Sequence, residues 1–200
     1  MTAPSLILAS GSEIRARLLR NAGLAPEIRP ARIDEEAIRA ALAAENASPR
    51  DLADTLAEMK AQRVSDRFPD ALVLGCDQIL ECNGTVFAKP TGPADARTQL
   101  RALSGRTHRL LSAAVICRAG APLWRHVGEA RLTIRDLSEA YLDDYLARNW
   151  ESIRHSVGCY KLEEEGVRLF SRIDGDYFTI LGLPLIEVLT WLGIRGDIAT

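Results

Sequence analysis

The chain has 200 residues, 25 Lys+Arg against 27 Asp+Glu, and a formal net charge of −2. A chain of this length buries roughly 70 % of its unfolded surface and needs no disulfide or zinc staple to fold. Hydrophobic residues at 47 % and charged residues at 26 % exclude a disordered tail or a fibre, and the near-balanced charge excludes a bulk binder of nucleic acid.

Leu6–Ala9 is a short apolar run that stops at Ser10-Gly11-Ser12, and amphipathic Glu13–Ala22 follows and ends at Gly23. This reads as strand, tight turn and helix, with Ser12 at the N-cap and Gly23 just past the end. Extended Pro26–Ile33 leads into a helix from Asp34 to about Asn46, and Ser48-Pro49 opens a longer helix to about Phe68. Ala71–Cys76 is an apolar strand that ends on Asp77. Ile79–Cys82 and Thr85–Ala88 flank Asn83-Gly84, a two-residue hairpin signal. Pro93–Leu103 is helical by period, and Leu110–Arg118 with Leu123–Arg135 reads as an antiparallel pair. Ser138–Asn149 is a capped helix, and Val167–Ile173 a strand broken by Asp174-Gly175-Asp176. Tyr177–Leu181 fits either a strand or the start of a helix, and Leu185–Leu192 is a last helix ended by Gly193. Strands interleaved with helices and hairpins give an α/β domain with a mixed sheet, and residues 1–200 form one such domain.

No uncharged stretch is long enough to span a bilayer, and no basic leader precedes Leu6, so neither a membrane anchor nor a signal peptide is expected. Cys76, Cys82, Cys117 and Cys159 lack metal-type spacing and read as buried small hydrophobes of a reducing cytoplasm.

Three segments carry the candidate chemistry. Ser10-Gly11-Ser12-Glu13-Ile14-Arg15 offers unpaired helix N–H groups, two hydroxyls and an arginine, an anion pocket suited to phosphate; a capped helix with a surface arginine explains the same residues. On the long helix, Leu52, Ala53, Leu56, Ala57, Met59 and Val64 span an arc of about 160° with Lys60 near its centre. Lys60 either snorkels along apolar surface or points into a cavity that holds an anion. Asp77 is carried inward by an apolar strand, where a carboxylate is costly unless it meets a cation, a metal or a proton to move. A turn aspartate bonded to its own backbone is the competing reading, but Asp77-Gln78 lacks the glycine such a turn favours.

Asp34-Glu35-Glu36 suits a helix start in any case, Lys89-Pro90 aims a lysine along a sheet edge, and Glu163-Glu164-Glu165 reads as a solvated acidic turn. His108, His126 and His155 are too scattered for a ligand set. Walker, Rossmann, zincin and serine-hydrolase motifs are absent.

Taken in order, these pieces resemble the Maf family of nucleoside triphosphate pyrophosphatases, a branch of the inosine-triphosphatase-like fold. The matching stretches are Leu8-Ala9-Ser10-Gly11-Ser12 with Arg15, Ile33-Asp34-Glu35, Leu56-Ala57 with Lys60-Ala61, Gly75-Cys76-Asp77, Ala88-Lys89-Pro90, Leu103-Ser104-Gly105-Arg106 with His108, and Gly175-Asp176-Tyr177 with Gly182-Leu183-Pro184-Leu185. The resemblance implies an extended mixed β-sheet with flanking helices forming two lobes around a cleft, and often a homodimer. It implies hydrolysis of a nucleoside triphosphate to the monophosphate and pyrophosphate, helped by Mg²⁺ or Mn²⁺. Asp77 would be the proton acceptor, with Glu35, Lys60 and Lys89 also catalytic, Glu35 and Asp77 holding the metal, and Ser10, Ser12 and Arg15 binding phosphate. Hydrolysis at the α-phosphorus is mainly positioning and charge neutralisation, which suits that set.

Ile14, Gln78 and Glu163 bear on the base. Asp77-Gln78 and Tyr160-Lys161-Leu162-Glu163 resemble the branch that prefers 7-methyl-GTP, with Asp-Gln and Phe-Lys-x-Glu, although Ile14 stands where that branch usually has tryptophan. Members selective for dTTP and UTP carry Asp-Thr and Tyr-x-x-Gln instead. A glutamate can accept from both N–H donors of guanine, and its charge favours a methylated, cationic base. The preferred substrate is therefore expected to be 7-methyl-GTP, ahead of dTTP, UTP or CTP; a non-catalytic nucleotide-binding regulator of septum formation is the reading from a different class.

Overall fold

The computed structural model describes residues 5–199; the absence of a leader at Met1–Pro4 lies outside them. In chain order the elements are β1 (Leu6–Leu8), α1 (Glu13–Asn21), β2 (Glu27–Ile28), α2 (Glu35–Ala44), α3 (Pro49–Ser65), β3 (Leu72–Cys82), β4 (Thr85–Phe87), α4 (Pro93–Leu103), β5 (Thr107–Arg118), β6 (Ala121–Ile134), α5 (Glu139–Ile153), β7 (Phe170–Asp174), α6 (Tyr177–Ile180) and α7 (Leu185–Arg195). Three helices start on the side chains expected of them. Asp34 accepts from the Ala37 N–H at 3.0 Å, Ser48 from Asp51 at 3.1 Å and Ser138 from Tyr141 at 3.2 Å, each satisfying an N–H that the helix cannot.

The strands of the described residues form one mixed sheet in the order β2-β1-β3-β5-β6-β7, with β4 folded back on β3. β1 runs parallel to β3, Leu6, Ile7 and Leu8 facing Leu72, Val73 and Leu74. The apolar run at the start of β3 is buried on both faces, as an inner parallel strand requires.

The chain divides into two compact units. The first comprises Met1–Gln78, Leu111–Gly128 and Tyr177–Thr200; the second comprises Ile79–Leu110 and Glu129–Asp176. In the first, Val64 of α3 joins Ile7, Ala9, Ala71 and Val73 in one buried cluster. In the second, α4 and α5 are tied by Arg97 to Asp143 at 2.7 Å and by Arg101 to Glu139, while Tyr160 packs edge-on against Phe170 at 4.9 Å.

Several expectations need correction. Asp77 is not at a strand end: β3 runs through it to Cys82, beyond the last partner of β1 at Leu74, and β4 pairs with its end at Leu80–Cys82. α7 passes Gly193 and ends at Gly196, whose N–H bonds to Gly193 O at 2.9 Å. Pro26–Ile33 contributes only the two residues of β2. Glu165–Leu169 is a short 3-10 turn that precedes β7; of the two alternatives left open for Tyr177–Leu181, the helical one holds, over Tyr177–Ile180. Met59 is 37 % exposed and lies off the buried face of α3, where Ala61 takes its place.

Candidate active site

β1 delivers the chain into Ser10, and the first turn of α1 follows directly. Ser12 is extended at the N-cap position but makes no side-chain cap. Its N–H donates to Ser10 Oγ at 3.3 Å, and Arg15 Nη1 donates to the same oxygen at 3.2 Å. Ser10 Oγ therefore accepts twice and keeps its own proton to donate. Arg15 is fixed further by Nη1 to Cys76 O at 3.0 Å and by Nε to Gly182 O at 2.8 Å. Gly182 holds φ at +95°, a left-handed conformation that disfavours any side chain, and an added Cβ would lie 3.1 Å from Arg15 Nη2. The arginine is thus pinned to the carbonyl directly before Asp77, beside a helix N-terminus whose first N–H groups have no side-chain cap.

Asp77 and Lys60 meet because α3 lies against β3 at Gly75. A Cβ on Gly75 would strike the carbonyl oxygen of Ala57 and come within 2.7 Å of Ala61 N. That close approach sets Lys60, on the inner face of α3, beside the residue two positions along β3. Lys60 Nζ lies 2.7 Å from Asp77 Oδ1 and 2.9 Å from Glu35 Oε1. Lys60 is 8 % exposed and Asp77 5 %, so neither charge could remain without the other. Of the two alternatives for Lys60, the inward one holds: it points at anions, here two carboxylates.

Arg39, which the sequence reading missed, completes the group, with Nη2 3.4 Å from Asp77 Oδ2. Its signal was available, since Arg39 is four residues after Glu35 on α2 and shares its face. Two acids and two bases therefore balance at one point.

Gln78 Nε2 donates to Ser112 Oγ at 2.9 Å, Ile180 O at 3.0 Å and Thr179 O at 3.2 Å. Its amide nitrogen is committed to α6 and β5, a role its sequence did not reveal. Ile14 is half-buried in the first turn of α1. Ser10, Ser12, Ile14, Arg15, Glu35, Lys60, Asp77 and Gln78 all belong to the first unit; Lys89 and Glu163 belong to the second. Lys89 is exposed after β4.

Glu163 lies in a loop whose neighbours are tied down rather than merely solvated. Lys161 Nζ bonds to Ser152 Oγ at 2.7 Å and Glu164 Oε1 at 3.1 Å. Glu165 pairs with Arg148 at 2.8 Å, and hydrogen bonds from Arg148 and then Asn149 hold its carboxyl well below the usual range, at about 2.

Among the described residues no three His, Cys, Asp or Glu side chains converge as a metal set. Asp77 and Glu35 nevertheless present two hard oxygen ligands to one shared cation, the Lys60 ammonium. That donor set fits a Mg²⁺ or Mn²⁺ ion that takes its remaining ligands from phosphate and water.

Residues 5–194 match the family model described as Maf-like protein. A nucleoside triphosphate pyrophosphatase of Roseobacter denitrificans is 65% identical over 193 residues, 96% of this chain and 97% of its own. One of Ruegeria pomeroyi is 59% identical over 200 residues, the full length of both. A protein of Rhizobium etli named 7-methyl-GTP pyrophosphatase is 52% identical over 195 residues, 98% of each chain.

Proposed function

The chain belongs to the Maf family, and from that membership we propose that it hydrolyses a nucleoside triphosphate to the monophosphate and pyrophosphate, with 7-methyl-GTP as preferred substrate. The observation that carries this reading is the nearly buried Asp77 carboxylate, held by Lys60 one residue beyond the carbonyl that fixes Arg15. A carboxylate, the lysine that holds it and an arginine beside a helix N-terminus are joined through the two consecutive residues Cys76 and Asp77.

In this mechanism Ser10, Ser12, the start of α1 and Arg15 hold the phosphate chain. Asp77 orients a water and takes its proton as the oxygen attacks the α-phosphorus. The bond from that phosphorus to the bridging oxygen breaks, and pyrophosphate leaves with its charge balanced by Lys60. Glu35 and Asp77 would hold Mg²⁺ or Mn²⁺, which supplies further neutralisation of the phosphates. On the second unit, the family resemblance assigns Lys89 to phosphate neutralisation and Glu163 to the base, where a carboxylate accepts from both N–H donors of guanine. The same reading places the protein in the cytoplasm, in keeping with four buried free cysteines, as a homodimer acting on nucleotides rather than on nucleic acid. No described helix is long and apolar enough to cross a membrane.

The test is a panel of 7-methyl-GTP, GTP, dTTP, UTP, CTP and ITP with Mg²⁺ or Mn²⁺ and identification of the products. Pyrophosphate and monophosphate are expected, fastest from 7-methyl-GTP. Asp77→Asn should lower turnover by about 100-fold or more, the usual range for a lost general base, while calorimetry still detects nucleotide. Full activity in that variant, or orthophosphate as product, overturns the assignment; binding without any product would favour a nucleotide-sensing regulator. Glu163→Gln should erase the preference for guanine, and an unchanged profile would remove Glu163 from base reading.

A further inference from the structure

The ion pairs around Asp77 leave Arg39 without a part in the reaction just described, yet it covers one of the two reactive oxygens. Lys60 sits on Oδ1 at 2.7 Å and Arg39 on Oδ2 at 3.4 Å. The two contacts are unequal. Lys60 has a side chain only 10 % exposed and touches both Asp77 and Glu35, whereas Arg39 is 31 % exposed and its contact with Asp77 is a long one. If one cation leaves Asp77, it is Arg39.

The element that carries Arg39 is able to let it go. No residue of α2 is buried, so a shift of this helix or of its side chains opens no core. Glu35 and Arg39 lie one turn apart on a common face, and Glu35 ties that face to α3 through Lys60. At rest the charges of Glu35, Asp77, Lys60 and Arg39 sum to zero, so a free divalent cation finds little net attraction there. A bound triphosphate changes that balance. Its oxygens suit the paired donors of a guanidinium better than a single carboxylate oxygen at 3.4 Å does.

We propose that Arg39 is a latch: it covers Oδ2 of Asp77 in the nucleotide-free enzyme and passes to the phosphates of the bound triphosphate, uncovering the carboxylate as substrate arrives. This rests on the reading of Asp77 as the base of a pyrophosphatase. It makes Arg39 a substrate-binding residue and a barrier to premature metal binding.

Two measurements test it on the intact protein. The first is the affinity of the nucleotide-free protein for Mn²⁺ alone, read by electron paramagnetic resonance of the unbound ion. Arg39→Ala should bind Mn²⁺ roughly two- to fivefold more tightly than wild type, the scale of a half-exposed ion pair. The second is the steady-state kinetics of pyrophosphate release. Arg39→Ala should raise KM by about tenfold or more, as loss of a charged hydrogen bond does, while kcat stays within about threefold. Arg39→Lys, which keeps the charge and loses the fork, should fall between the two in both measurements. Unchanged KM in Arg39→Ala, or Mn²⁺ affinity that is unchanged or lower, overturns the latch. A wild-type protein that releases no pyrophosphate defeats the pyrophosphatase reading instead, so the two failures are distinct.

Discussion

Lys60 and Asp77 are each too buried to be charged alone. A buried ion pair is weak support for stability in itself, because both partners lose their water; removing one partner is the costly event, since it strands the other. Lys60→Met keeps the apolar stem and deletes only the ammonium. It should abolish activity and lower stability by about 3 kcal/mol, because Asp77 and Glu35 lose the cation they share and only the long Arg39 contact remains on Asp77. Adding Asp77→Asn to Lys60→Met should restore much of that loss, and urea denaturation of the two single variants and the double reads the coupling directly. Additive losses would mean that the pair does not interact in the way its 2.7 Å separation implies. Lys60 was legible in the sequence because a lysine at the centre of an apolar arc has few options. Arg39 carried only a weaker signal, its position four residues after Glu35 on α2, and nothing in the sequence tied that helix to Asp77.

The elements owe their positions to a few local devices. Ser48 and Asp34 start the two helices that carry Lys60 and Glu35, while Gly75 decides how closely α3 approaches β3. Gly75→Ala would set a methyl group against the Ala57 carbonyl and 2.9 Å from Ala61 Cβ. The helix must then move outward, which costs roughly 1–3 kcal/mol and draws Lys60 away from Asp77. The expected outcome is a lower urea midpoint together with a fall in kcat, whereas loss of stability with full activity would show that the lysine follows its carboxylate. Ser10 is a comparable case, since only the folded chain brings Arg15 and Ser12 N–H to its hydroxyl at once.

At the scale of the whole molecule, acid stability depends in part on His108, a buried group whose effect can be signed. His108 is 1 % exposed, its Nε2 meets Tyr160 Oη at 2.7 Å, and Nδ1 has no partner among the described residues. Burial pushes its pKa down from 6.5 to about 4, because a charged ring would be out of water with one N–H unpaired. The unfolded chain thus takes up this proton before the folded one does. Its contribution is complete above pH 6.5 and is lost as the pH falls towards 4. Between pH 6.5 and 5 the loss is on the order of 1–2 kcal/mol, measurable as a falling urea midpoint. His108→Gln, which does not titrate, should flatten the profile over that interval; an unchanged slope would assign it to other groups.

Much of this protein was settled by order along the chain. The hairpin at Asn83-Gly84 and the caps at Asp34, Ser48 and Ser138 depend on neighbours a few residues apart, so local sterics and periodicity determine them, while the stretches from Leu8 to Leu185 were legible only as a family resemblance. The extent of β3 does not belong to that class. Asp77-Gln78 looks like an interruption in sequence, and it is pairing with strands distant in the chain order that carries β3 through a carboxylate to Cys82. Tyr177–Leu181 was equally undecided, because so short a run fits either conformation; in the fold, the carbonyls of Thr179 and Ile180 receive the Gln78 amide. Tertiary structure brought Glu35, Arg39, Lys60 and Asp77 together from three separate elements, and for Lys60 and Asp77, the two that are nearly buried, burial makes mutual neutralisation obligatory.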